Sequence, residues 1–295
     1  MGTLDAVKAI DSARVRLQKP ANYQVNLTKH YVYTTNEDQV VQAELKDHQV
    51  IYVGRENGFM LSGIPLGGEL FITAKLKSNL DQTLHAIANI VRLKNVQEKL
   101  ILLLQCISGR IQHLLAAVPM HLSRDFARQH DEAIMTAVAE VLDLGTLTPR
   151  DRLLMQRKIS DHGLGLRSME TNLEFLFLAG FMKTVKSITM AFPNFLPVMS
   201  STLDADSGYG RELADALETL REAHSQKLLN LLPLDIKDVM NDNYIWPHDA
   251  IQRELDSILA KQHDDMYDLT RIGDQQDKAT LLSTDTSIFL NHSEM

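Results

Sequence analysis

The stretch Glu69-Leu70-Phe71-Ile72-Thr73-Ala74-Lys75-Leu76-Lys77-Ser78-Asn79-Leu80 marks the point where the chain changes character. Before it, apolar residues alternate or sit in short β-rich runs. From Glu69 onward they recur three and four apart, which is the helical period. That change predicts an α+β fold, predominantly α-helical, in which a small antiparallel strand patch near the N-terminus is followed by a helical bundle. Downstream, helical periodicity covers 69–91, 96–117, 123–143, 168–190, 209–230 and 248–271. Ser123 is expected to N-cap one helix, Gly145 and Pro149 to punctuate the next gap, and Pro193 and Pro197 to break the chain. Upstream, Leu4 to Leu17 reads as a helix. Tyr23 to Leu27 alternates, Tyr31-Val32-Tyr33 and Val50-Ile51-Tyr52-Val53 are β-rich, and Asn57-Gly58 signals a tight turn before Phe59-Met60-Leu61. Residues 20–65 form the expected strand patch.

The composition fits an ordinary folded chain. With 295 residues, 44% hydrophobic and 23% charged, it has enough apolar surface for one large domain or two modest ones, and it is not a disordered sequence. Few aromatics against twelve methionines suit a leucine- and methionine-packed helical interior. Cys106 is the only cysteine, which excludes an intrachain disulfide and a cysteine-rich zinc site and points to a reducing, intracellular compartment; nucleus and cytoplasm are not distinguished. No secretory h-region opens the chain. The most apolar stretch, Phe175 to Phe192, is interrupted by Lys183 and Lys186, whereas a spanning helix needs about 20 largely uncharged residues. It reads as a buried core helix, and no membrane partner is expected.

Charge is unevenly placed. Residues 1–130 carry 15 Lys and Arg against 11 Asp and Glu, residues 131–200 carry 7 against 8, and residues 201–295 carry 8 against 19. A basic front and an acidic back exclude uniform nucleic-acid binding along the chain; a nucleic acid would meet the front.

Several short patterns do not amount to sites. Asp204, Asp206 and Asp215 fall at calcium-loop positions 1, 3 and 12, but Tyr209 stands where the sharp turn needs glycine, so residues 200–210 read as a polar linker. His121, His130, Asp131 and Glu132 lack the i,i+4 histidine pair that would put two ligands on one helix face, and read as a solvated helix face. Cys106, in the run Leu102-Leu103-Leu104-Gln105-Cys106-Ile107, is expected to be a buried, inert thiol. His263-Asp264-Asp265-Met266 sits in helical periodicity, not in the hairpin on which polymerases hold two metal ions. No nucleophile elbow, P-loop or dinucleotide fingerprint is present.

Two spacings in the front are informative together. Val25-Asn26-Leu27-Thr28-Lys29 places an asparagine three residues before a lysine, ahead of the Tyr31 strand. About thirty residues later, Leu61-Ser62-Gly63-Ile64-Pro65-Leu66-Gly67 sets glycines around a proline, a turn suited to close backbone approach. The order resembles the end of the palm in reverse transcriptases of non-LTR (LINE-like) retroelements. In that family an Asn-x-x-Lys segment follows the catalytic aspartates, and a Leu-Gly-x-Pro-x-Gly turn, the primer grip, comes next. The similarity continues through Leu102 to Cys106, Gly109 to Leu115, Val118-Pro119, Phe126-Ala127 and Asp131-Glu132-Ala133. It is most specific at His162-Gly163-Leu164-Gly165-Leu166-Arg167-Ser168 and weaker over Asp277 to Ser283. The departures are Asn22, Ser62 and His162, at positions where the family has glycine, leucine and glycine.

The resemblance implies a palm-end remnant over 1–68, a helical thumb-like region over 69–199, a linker over 200–210 and an acidic helical region over 211–295. The fingers and catalytic aspartate motifs of the family should precede Asn26, where only 25 residues stand. No cofactor is therefore expected in this chain, Mg2+ being implied for the complete family enzyme alone. Lys29 matches the lysine proposed to protonate departing pyrophosphate. Asn26, Gly63, Pro65, Gly67, Lys75, Lys77, Arg92, Lys94, Lys99 and Arg110 are the residues expected to bind a template–primer duplex. The expected function is that of a reverse-transcriptase fragment without catalytic aspartates, inactive alone and retaining at most template–primer binding. Its partners would be an RNA–DNA duplex on the basic front or a missing polymerase half on another chain. The alternative is a non-enzymatic helical protein-interaction module using the acidic C-terminal half.

Overall fold

A computed structural model describes residues 31–33, 51–54, 56–159, 163–191, 196–203, 207–222, 225–240 and 245–266, together with Ser12 and Lys46. The expected helix at Leu4–Leu17 (Ser12 apart), the Tyr23–Leu27 alternation and Asp277–Ser283 lie outside the described residues. The architecture is α+β and predominantly helical, as the periodicity predicts. The chain divides into two compact units, Met1–Ser78 and Asn79–Met295.

In the first unit, β1 (Tyr31–Tyr33) pairs with β2 (Ile51–Val53), and β3 (Gly58–Leu61) pairs with β4 (Ile64–Gly67). The second pair is an antiparallel hairpin, in register Gly58↔Gly67 to Leu61↔Ile64. The first pair runs parallel, a difference from the antiparallel reading. Residues 34–50 are long enough for the crossover that parallel strands need. Tyr31 stacks on Phe59 at 5.5 Å. The turn signalled by Asn57-Gly58 is present one step earlier, closed by Asn57 N–H donating to Gly54 O at 3.0 Å. Helix α1 (Glu69–Val91) begins in this unit and ends in the second.

The second unit is built on helices. Helix α2 (Val96–Ile101) is capped by Asn95, whose side chain accepts from Gln97 N–H at 2.8 Å, and it runs into a π-helical turn, Leu102–Ile107. The extra residue in that turn, with Ser108 N–H reaching Leu103 O at 3.0 Å, keeps Leu103 and Ile107 inward and rotates Cys106 to the surface. The thiol expected to be buried is exposed. After α3 (Gln112–Leu115) comes α4 (Met120–Leu142). Pro119 takes its N-cap position, and the expected cap Ser123 lies buried inside the helix, its hydroxyl returned to Pro119 O at 3.1 Å. Asp143 and Gly145 end α4 in left-handed geometry, and Thr148 with Asp151 forms a capping box on α5 (Pro149–Gln156).

Helix α6 (Leu173–Ala191) is the core helix anticipated at Phe175–Phe192, and it touches α3, α4, α8 (Gly208–Arg221) and a 3-10 turn at Ile236–Met240. Phe175, Phe177, Leu178 and Phe181 on it are buried; each is worth about 2–3 kcal/mol of burial. No helix among the described residues is long and apolar enough to cross a membrane. Between α6 and α8 lies α7 (Leu196–Thr202), in whose first turn Pro197 sits. Proline was expected to break the chain there; a first-turn N–H has no intrahelical partner to lose, so the helix accommodates it. Ser207 caps α8, Ser225 caps α9 (Gln226–Leu231), and α10 (His248–Met266) packs on α9.

Two features of α6 invite measurement. A methyl at Gly180 would stand 2.1 Å from Ala116 O, so the glycine sets the approach of α3. Gly180→Ala should cost about 1–3 kcal/mol in urea unfolding. His248 stacks on Phe175 at 5.0 Å, and burial first, then the Lys183 charge, hold its imidazole below histidine's ordinary value, with Asp249 opposing. The folded state thus disfavours the proton. Its contribution is complete above about pH 6.5 and declines as pH falls from there towards the lowered folded value. His248→Phe, which keeps the stack, should flatten the acid-side slope when unfolding is compared at about pH 7.5 and about pH 5.5.

Candidate functional site

The hairpin carries three of the expected residues. Ser62 and Gly63 have φ of 50° and 86°, the two positive angles of a tight I′-type hairpin turn, which brings Ile64 opposite Leu61. Pro65 is buried opposite Met60. Gly67 has φ of 144°, and a Cβ there would lie 2.2 Å from Asn57 O. The glycine–proline pattern is therefore accounted for by closing the hairpin. On the exposed face of α1, Lys75 lies over the Phe71 ring at 5.3 Å and Lys77 is exposed. Asn26 and Lys29 lie outside the described residues.

In the second unit, Arg92 and Lys94 are exposed at the turn between α1 and α2. Lys99 is half-buried on α2, and Arg110 is exposed on the turn before α3. None of these four has an ion-pair partner among the described residues. Three other arginines of the same unit are neutralised: Arg124 by Glu174 at 2.6 Å, Arg128 by Asp125, and Arg152 by Glu132 at 2.5 Å. In the last pair, hydrogen bonding to Arg152 holds the Glu132 carboxyl below the usual carboxylate value despite partial desolvation.

The string Gly163 to Ser168 performs a structural task; His162 lies outside the described residues. Gly163 N–H donates to Lys158 O at 2.9 Å, Gly165 N–H to Arg157 O at 2.7 Å and Leu166 N–H to Met155 O at 2.9 Å, so the segment folds back on the end of α5. A Cβ on Gly163 would meet Arg157 O at 2.2 Å, and Gly165 has φ of 70°; both positions require glycine. Leu166 then enters the core formed with Ile87, Leu103, Ile134 and Val138. Next, Ser168 meets Asp131 of α4. The Asp131 carboxylate accepts from Ser168 Oγ at 2.7 Å, Met169 N–H at 2.9 Å and Glu170 N–H at 3.0 Å.

Reading His130 and Asp131 as a solvated face is thereby corrected. His130 is fully buried and Asp131 is 8% exposed, while His121 and Glu132 face out. The signal was available: both residues lie in helical phase with Phe126, Ala127 and Ile134. A second residue missed in the sequence is Glu212 of α8, which accepts from Met120 N–H at 2.6 Å and holds His121, capping α4 from another helix. Burial first, and then the Glu212 charge, push the Tyr209 hydroxyl up to about 12.

Among the described residues no group of three His, Cys, Asp or Glu is placed to hold a metal. A magnesium ion implied for the complete family enzyme finds no donor set there, and no chemical step is assigned to it. Asp264 and Asp265 lie on α10, within a helix and not on a hairpin.

Asp131→Ala should cost about 3 kcal/mol, because it strands three donors in the turn before α6. Asp131→Asn, which keeps one acceptor, should cost less; equilibrium urea unfolding compares the two.

No family model, curated protein or solved structure matches the chain.

Proposed function

We propose that this chain is the palm-end and thumb part of a reverse transcriptase of non-LTR retroelement type, and that what it retains is sequence-independent binding of an RNA–DNA duplex without polymerisation. The family reading rests on the motif order described above. The binding reading rests on one structural observation: Arg92, Lys94, Lys99 and Arg110 carry no carboxylate partner among the described residues, in a chain whose formal net charge is −8. Cations left unneutralised in an acidic protein keep their full attraction for phosphate, and binding of that kind releases counterions and weakens steeply with salt. Lys75 and Lys77 on α1 supply the same chemistry within the first unit.

The interaction-module alternative predicts no salt-dependent nucleic-acid binding. Fluorescence anisotropy with a labelled RNA–DNA hybrid, taken across a salt series, separates the two. The combined variant Arg92→Gln, Lys94→Gln and Lys99→Gln should weaken binding equally for unrelated sequences and reduce the salt slope by about one for each phosphate contact removed. Primer extension with magnesium should show no incorporation by the chain alone; turnover would overturn the proposal, and restoration by an added catalytic half would identify a split enzyme.

A further inference from the structure

Helix α8 ends on charges that folding does not ask for. Glu218 and Glu222 stand one turn apart at its C-terminal end, both exposed, and neither has a side-chain partner among the described residues. The backbone dipole is negative at that end of a helix, so a cation is favoured there and a carboxylate is not. Four residues apart, the two carboxylates also face one another and repel. Arg221, the cation of the last turn, is engaged elsewhere: its Nη1 donates to Leu234 O at 2.7 Å and to Pro233 O at 3.4 Å.

The two carboxylates border a cavity of about 600 Å³ between α8 and residues 234–237. Away from them the lining is apolar. Leu203, Leu217 and Ile236 are buried, Ala214 extends the same face of α8, and Leu234 stands in the wall, 79% exposed. Across the whole lining, Glu218, Glu222 and Asp235 oppose Arg221 and Lys237, a formal excess of one negative charge. Asp235 is committed to the 3-10 turn, its Oδ1 accepting from Lys237 N–H at 2.7 Å.

We propose that this cavity binds a small organic amine, with the ammonium at Glu218 and Glu222 and the apolar body against Leu203, Leu217, Leu234 and Ile236. The volume is that of sites for single small molecules, which combine an apolar lining with a few placed polar groups. The apolar face of α8 runs from Gly210 to Leu217, two turns or about 10 Å, before the charges begin. A patch about 10 Å on a side is a small part of the roughly 800 Å² that each partner buries in a stable protein interface, which favours a small ligand over a helix or a second copy. The ammonium relieves the repulsion between the two carboxylates and supplies the positive charge that the helix end lacks. An anionic ligand of the same shape meets both effects with the wrong sign. The site uses none of the cations assigned to duplex binding, so it stands or falls separately from that reading.

Isothermal titration of the full chain at about pH 7 with n-octylamine, n-octanol and n-octanoate tests it: one apolar chain carrying a positive, a neutral and a negative head. Saturable one-to-one binding of the amine is expected, weaker binding of the alcohol and none of the carboxylate. The double variant Glu218→Gln, Glu222→Gln should weaken the amine roughly fivefold and leave the alcohol unchanged. Removing the same charge outside the cavity, by Glu140→Gln with Asp215→Asn, should change neither. Ala214→Leu, which fills the cavity from an exposed helix position, and Leu234→Ala, which opens its wall, should each weaken amine and alcohol together; circular dichroism confirms that each variant folds. Absence of saturation by the amine, octanoate binding as tightly, or indifference to the double variant or to Ala214→Leu overturns the site. Two further outcomes overturn it in favour of another occupant. One is a leucine–lysine amphipathic peptide that binds more tightly than the amine and is lost in Ala214→Leu. The other is a dimer in sedimentation that Ala214→Leu dissolves.

Discussion

The second unit depends on one buried carboxylate. Asp131 accepts three hydrogen bonds from the turn that precedes α6, and α6 is the helix against which α3, α4 and α8 are all packed. A turn leaves N–H groups without partners of its own, and a buried turn cannot leave them to water. A carboxylate placed there satisfies them, while the three donors offset the cost of taking the charge out of water. The constraint propagates backward. For Ser168 to reach Asp131, residues 163–166 must fold onto α5, and only glycine at 163 and 165 permits it.

The same device appears at the start of α4, where Glu212 reaches across from α8 to the Met120 N–H. Helix starts in this unit are closed in different ways. Those of α2, α5, α8 and α9 are closed by their own neighbours, Asn95, Thr148, Ser207 and Ser225. That of α4 is closed by a carboxylate distant in sequence, which ties two helices together while capping one of them. The close approach of α3 and α6 at Gly180 is a third long-range condition, set by the absence of a side chain.

This division explains what could be read in advance. The helical period located α1, α4, α6, α8 and α10 because periodicity is a local consequence of one buried face. It failed where the local rule was overridden. Ser123 looked like a cap but its helix begins three residues earlier, with Glu212 supplying an acceptor that no window around Ser123 contains. Cys106 looked buried because a regular helix was assumed, and the π-turn at Leu102–Ile107 changed its phase. Asp131 looked solvated because a charged residue is usually exposed, and its partner lies 37 residues on. The parallel pairing of β1 with β2 is likewise non-local and is not legible in either strand's composition.

The motif strings that suggested a polymerase ancestry divide in the same way. Gly63, Pro65 and Gly67 close a hairpin, and Gly163, Gly165, Leu166 and Ser168 build a joint, so their presence is explained by folding requirements and carries little functional weight by itself. The cations are different. An exposed lysine or arginine contributes little to stability whether paired or not, so folding does not dictate which of them keep a carboxylate partner. Arg124, Arg128 and Arg152 are paired, and Arg92, Lys94, Lys99 and Arg110 have no carboxylate partner among the described residues, in one and the same unit of an acidic chain. Lys158 and Arg167 form an intermediate case, sharing Asp256 at 3.4 Å each. Function is therefore to be sought where positive charge is left over after the fold has been satisfied.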